Sequence, residues 1–215
     1  MQARAAEVIA LAAAHGLPFW WAVGQCNHGI ALAQQDNATE GVNQIRQGLA
    51  VYRAAGATIG IPRILGWLAE ACGRVGQIDE GFQVLEEAYA VVRQSDERIW
   101  EAELYRRKGD LTLQQENQKS KGNNQESKMP DPPSPMPDAP GEAEACFLKA
   151  IEITRQQHAK SFELRAVISL SRLWQRQNKA VQARQMLAEV YSWFTEGFDT
   201  ADLQEAKALL ETLRR

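Results

Sequence analysis

The chain lacks most of the features from which a chemical activity is read. It has only three cysteines, Cys26, Cys72 and Cys146, widely spaced and with no Cys-x-x-Cys pair. An odd, scattered set disfavours both a disulfide framework and a zinc site. Each falls in an apolar helical pattern, where a thiol serves as a small hydrophobe in a reducing cytoplasm. No apolar run reaches the roughly eighteen residues of a membrane span. The Ala-rich opening is broken by Glu7 and His15 and does not resemble a signal peptide. A basic excess is missing too: the net charge is −3, which gives no support for nucleic-acid binding. The three histidines, His15, His28 and His158, are scattered, and no Ser-His-Asp, Cys-His or His-Glu-x-x-His arrangement can be assembled around them. No Gly-x-x-x-x-Gly-Lys-Ser/Thr loop is present to hold a nucleotide. These absences point away from an enzyme, a cofactor, a metal, a membrane and a small-molecule substrate. The six tryptophans are read as packing residues.

Proline is scarce outside one stretch. Of eight prolines, six lie between Gln114 and Gly141, amid Gln, Asn, Lys and Ser. Such a composition buries too little apolar area to offset its ordering entropy, so 114–141 is expected to be a disordered insertion. Its Pro-x-x-Pro spacing suits a linker, with ligands of aromatic-grooved modules as the less favoured use.

What the chain does contain is repetition. Gly41, Ile45, Gly48 and Val51 fall on Gly81, Leu85, Ala88 and Val91 after a shift of forty residues. The register returns at Ala143, Phe147, Ala150 and Ile153, then at Ala183, Leu187, Val190 and Trp193. A fixed period of this size marks a solenoid of stacked supersecondary units. Helical spacing and punctuation place the elements. An Ala-rich helix ends at His15-Gly16, and Pro18 and Pro62 open helices. Asn37 to Thr39 reads as a helix start rather than a glycosylation site, Gly56 and Gly76 close helices, and Ser161 reads as an N-cap. Helices are expected from Ala180 to Phe194 and, as a cap on the stack, from Ala201 to Arg214. Repeats therefore fill 1–113 and 142–215, interrupted by 114–141. By the same register Met1 stands at the start of a second helix, so the first repeat lacks its first helix and the chain reads as a fragment of a longer protein. The third unit is the least regular, with Lys108 and Thr112 where apolar residues are expected.

The repeating order is small, large, small, large, small. Gly29, Leu32, Gly41, Ile45 and Gly48 set it out. Ala69, Cys72, Gly81, Leu85 and Ala88 repeat it, as do Ser171, Trp174, Ala183, Leu187 and Val190 with the last position relaxed. Glycine within a helix costs about 1 kcal/mol relative to alanine, so its recurrence implies a close approach of paired helices. This order resembles the tetratricopeptide repeat, whose usual unit of about 34 residues is lengthened here. The resemblance implies an all-α, right-handed superhelical solenoid of antiparallel helix pairs with a C-terminal capping helix. It also implies a concave face lined by the first helices of each pair, for binding a protein or peptide. The positions that would line it are Val23, Cys26 and Ile30; Arg63, Gly66 and Glu70; Glu103, Arg106 and Asp110; Arg165, Ile168 and Arg172. The partner-binding candidates among them are Arg63, Glu70, Arg106, Asp110, Arg165 and Arg172. Their arginines suit carboxylates of a partner, and their acids suit the alternative of a salt-bridged, solvated face.

A second resemblance is more specific. The run from Trp193 to Thr200, with Asp202-Leu203 and Ala206 to Leu210, is similar to the ends of large bacterial signalling proteins. Those proteins join a class III adenylate cyclase, a P-loop ATPase and a tetratricopeptide region. Leu104 to Asp110 resembles the same group. It implies a cytoplasmic regulatory module whose partners include the upstream domains of its parent. A helical-repeat module of a transcriptional regulator is the alternative.

Overall fold

The computed structural model of the chain describes residues 2–35, 37–123 and 139–214. Ten α-helices and one 3-10 turn make up these residues, and no strand occurs among them. The chain divides into two compact units, Met1–Trp100 and Glu101–Arg215.

The first unit contains α1 (Gln2–Ala14), α2 (Pro18–Ala33), α3 (Ala38–Ala54), α4 (Ile61–Arg74), α5 (Ile78–Ser95) and the 3-10 turn Arg98–Trp100. Each helix packs on the next in sequence, and the two first helices α2 and α4 also touch. The small positions explain the closeness of α2 and α3. Gly29 and Gly41 face each other so tightly that a Cβ on either would meet the other's carbonyl oxygen. The larger members of the order, Ile45, Cys72 and Leu85, fill the space beside the crossing and are fully buried. Each such aliphatic side chain taken out of water contributes about 1.5–3 kcal/mol. On the outer side, Arg46 and Arg53 of α3 pair with Glu80 and Glu87 of α5.

The second unit contains α6 (Glu101–Asn123), α7 (Ala139–Gln156), α8 (Lys160–Arg176), α9 (Ala180–Tyr191) and α10 (Ala201–Thr212). It repeats the plan with different contacts at the crossing. Against Gly109 of α6 lies the ring of Phe147, closer than a methyl group would allow. Between α8 and α9 a serine takes the glycine's place, and Ser171 Oγ donates to the Ala183 carbonyl at 3.3 Å. The terminal helix α10 covers both α8 and α9 with Leu203, Ala206, Leu209 and Leu213. Thr112, out of pattern in the sequence, is buried with its hydroxyl donating to the Lys108 carbonyl at 2.9 Å. That local bond satisfies the polar group that the helical face takes inside.

Several boundaries differ from the sequence reading. Helix α6 continues through Gln114 to Asn123, and α7 already begins at Ala139. The helical hydrogen-bond ladder thus carries on into both flanks of the proline-rich stretch; its centre, 124–138, with Pro130, Pro132, Pro133, Pro135 and Pro137, lies outside the described residues. Ser161 is not the cap of α8, because the helix begins at Lys160 with Ala159 at the cap. Helix α9 stops at Tyr191, and Phe194 belongs to the turn after it. In the first unit α3 and α4 are followed by left-handed glycines, Gly56 at φ +76° and Gly76 at φ +81°, and α5 by left-handed Asp96 at φ +56°. In the second unit His158 (φ +54°) and Asn178 (φ +61°) take that conformation instead.

Candidate functional site

The first helix of each pair carries the residues expected to meet a partner, and burial sorts them at once. Cys26, Ile30, Gly66, Glu103 and Ile168 are buried. They form the packing strip rather than a lining. A helix held between two neighbours exposes a narrower stripe than one packed on a single side, and this shifts the accessible face away from them. Val23, Arg63, Glu70, Arg106, Asp110 and Arg165 are half-buried.

In the first unit, the Arg63 guanidinium lies over the Trp100 ring, 5.9 Å from its centroid. Close by, both carboxylate oxygens of Glu97 accept from the Gly60 amide at 3.0 Å. Glu70 takes a hydrogen bond from Arg74 at 3.2 Å, one turn along α4.

In the second unit the charges form a network centred on Glu103. Its carboxylate is 2% exposed and takes Arg106 at 3.0 Å and Arg107 at 3.1 Å. Arg106 also reaches Asp110 at 2.7 Å. From α8, Arg165 lies 4.0 Å from Glu103 and donates to Asp202 of α10 at 2.7 Å. Farther along α8, Arg172 pairs with Glu205 of α10 at 3.0 Å. Arg106, Arg165 and Arg172, expected to await a partner's carboxylates, are therefore already paired with carboxylates of this chain. Burial works to raise the Glu103 pKa, but Arg106, Arg107 and Arg165 outweigh it and hold the group down to about 2.

These pairs differ in strength. Arg172 and Glu205 are 55% and 40% exposed in their side chains, so their attraction is worth at most about 1 kcal/mol and a competing ion can displace it. Glu103 and Arg107 are sealed from solvent, and removing one partner would leave a buried charge at a cost of about 3–5 kcal/mol. The Glu103 network is structural, and the separate pair of Arg172 and Glu205 is exchangeable.

Nucleophilic or metal chemistry finds little to build on. No group of three His, Cys, Asp or Glu able to hold a metal occurs among the described residues. Burial pushes the Cys26 and Cys72 thiols up to about 11, and it raises Cys146 as well. They stay protonated at neutral pH and are poor nucleophiles. His28 is engaged by Gln44, with Nδ1 2.6 Å from Oε1. Trp174 donates its Nε1–H to Glu144 at 2.8 Å. Trp20 and Trp193 depart from the packing role read for the tryptophans, since both rings are largely exposed.

One feature was missed by the sequence reading. A cavity of about 390 Å³ opens in the second unit, lined by Ser161, Leu164, Arg165, Phe194, Thr200, Ala201, Asp202 and Leu203. It forms where the turn after α9 crosses the starts of α8 and α10. Of the neighbouring aromatic residues only Phe198 stands outside both the repeat register and the expected helices, the one sign in the sequence of packing beyond the repeat.

No protein-family model matches the chain, and no curated protein matches it. Among solved structures, two crystal structures from Podosopora anserina align with it, both described as kinesin light chain TPR-like repeats, one of them a point variant. Each superposes with a TM-score of 0.51 at 17% identity, over 88% of this chain and 91% or 92% of the other. The chain thus has the all-α helix-pair fold of tetratricopeptide-like repeats. No helix among the described residues is long and apolar enough to cross a membrane.

Proposed function

We propose that the chain is a non-catalytic protein-interaction module, acting as a scaffold or sensor through the polar faces of its first helices. The tetratricopeptide-like fold supports this in general. The observation that carries it is the graded ion-pair network of the second unit. Arg165 ties α8 to Glu103 of α6 and Asp202 of α10, while the solvent-reached pair of Arg172 and Glu205 can exchange for charges of a partner. Arg106, Asp110 and Arg165 are further candidates in the second unit, and Arg63 and Glu70 are candidates in the first.

More finely, the chain is the C-terminal regulatory part of a bacterial, cytoplasmic signalling protein of the adenylate cyclase and P-loop ATPase type. The likeness of Trp193 to Leu210 and of Leu104 to Asp110 to that group supports this. Its partners are then protein segments, including the upstream domains of such a parent, rather than nucleic acid or lipid. Capture of those domains by the wild-type chain, compared with Arg172→Glu and Arg63→Glu, tests the reading. Both substitutions lie outside the buried Glu103 centre, and unchanged helical circular dichroism is the control for folding. Weakened capture supports the assignment, and capture unchanged in both variants removes the arginine face from it.

A further inference from the structure

The turn between α9 and α10 carries acidic residues and no basic ones. Between Arg184 and Lys207 stand five carboxylates, Glu189, Glu196, Asp199, Asp202 and Glu205, and no basic residue. Asp202 and Glu205 are neutralised by Arg165 and Arg172 of α8. Glu189, Glu196 and Asp199 are exposed and have no ion-pair partner among the described residues.

The same turn displays aromatics. Trp193 packs edge-on against Phe194 at 5.2 Å, and Tyr191 lies 5.9 Å from Phe198. Phe194 forms part of the cavity wall, while Trp193 and Phe198 are 59% and 48% exposed. Aromatic rings in water beside unpaired carboxylates are the two elements that recognise an organic cation. The ring face attracts a guanidinium or ammonium, and the carboxylate adds a charge-assisted hydrogen bond. The neighbouring cavity, whose wall joins Leu164, Phe194 and Leu203 to the mutually paired Arg165 and Asp202, has room for one apolar side chain.

We propose that the turn 192–200 and the adjoining cavity form a docking surface for a basic segment of a partner protein. The segment lays Arg or Lys side chains against Trp193 and Phe198, pairs them with Glu196 and Asp199, and seats an aliphatic side chain in the cavity. Charge complementarity selects it, because an acidic segment or a nucleic acid would meet uncompensated carboxylates. The inference rests on the reading of the chain as an interaction module; its aromatic turn lies outside the arginine face and meets that face only at Arg165, in the cavity wall.

The test uses fluorescence anisotropy of the full chain with three labelled synthetic peptides of about twelve residues, alternating Leu with Arg, with Glu or with Ser. The Arg peptide is expected to bind, and to weaken as salt rises from about 0.05 to about 0.3 M. Asp199→Lys and Trp193→Ala are each expected to lower its affinity about tenfold or more, with helical circular dichroism unchanged. Glu7→Lys, on exposed α1, makes the same change of charge and is expected to leave binding within about twofold. Equal binding of the Ser or Glu peptide would show an apolar occupant and overturn the proposal. So would no binding of the Arg peptide, a Glu7→Lys loss as large as that of Asp199→Lys, or Trp193→Ala binding like wild type. None of these outcomes depends on Arg172 or Arg63, so the arginine-face reading fails or survives separately.

Discussion

Gly29 and Gly41 share a contact in which neither can carry a side chain. A Cβ on Gly29 would stand 2.7 Å from the Gly41 carbonyl oxygen, and one on Gly41 would stand 2.6 Å from that of Gly29. The obstacle on each side is backbone, which cannot swing aside as a side-chain end can. Helix propensity alone would favour alanine by about 1 kcal/mol. The crossing reverses that sign, because α2 and α3 must separate along their length to admit a methyl. Gly29→Ala and Gly41→Ala are each expected to destabilise the chain by about 2 kcal/mol, read as a lower urea midpoint.

The corresponding crossing of α6 and α7 should behave differently. There the added Cβ of Gly109→Ala would meet the Phe147 ring at 2.5 Å, a side chain that can be made smaller. Gly109→Ala alone is expected to cost about 2 kcal/mol. Combined with Phe147→Leu it should cost clearly less than the sum of the two single changes, since the pair shares one space. Additive losses in a double-mutant cycle would contradict the contact.

Acid should loosen the second unit through Glu103. Its folded pKa, about 2, lies below the ordinary 4.5, so its stabilisation is complete above pH 4.5 and drains away as pH falls towards 2. Glu163, which takes Arg155 and Lys160 at 2.7 Å, is lowered as well, burial opposing and those two cations prevailing, and adds in the same direction. Glu103→Gln is expected to cost about 3 kcal/mol at neutral pH and to flatten the stability profile between pH 4.5 and 2. A profile as steep as that of wild type would place the acid sensitivity elsewhere.

The thiols should label in order of exposure. Cys26 and Cys72 are buried with pKa values pushed to about 11, whereas Cys146 is half-exposed. In the native chain at pH 8, Cys146 is expected to react first with a maleimide, and the other two only on addition of denaturant. Mass spectrometry of the labelled peptides checks this.

Two helix ends offer stabilising substitutions. His158 and Asn178 hold the left-handed conformation that Gly56 and Gly76 supply in the first unit. His158→Gly is expected to raise stability by about 1 kcal/mol, and Asn178→Gly by less, since asparagine tolerates that conformation better. Thermal unfolding monitored by circular dichroism reads both shifts.

The sequence by itself determined the helix pairs and the places where they touch. Small residues recur every forty positions because two backbones meet there, and only glycine, alanine or serine leaves room; a constraint this local is written in the chain. The acidic, aromatic run after Arg184 was equally legible as composition. What only the tertiary structure decided was which charges are free. Arg106, Arg165 and Arg172 read either as open to a partner or as members of a salt-bridged face, and in the fold Glu103, Asp110, Asp202 and Glu205 hold them. The last two acids stand on a helix more than thirty residues further along the chain. Whether a charge is satisfied depends on through-space distance to groups remote in sequence, and periodicity carries no measure of that distance. The cavity beside Phe194 has the same origin, arising where a turn and the starts of two helices converge.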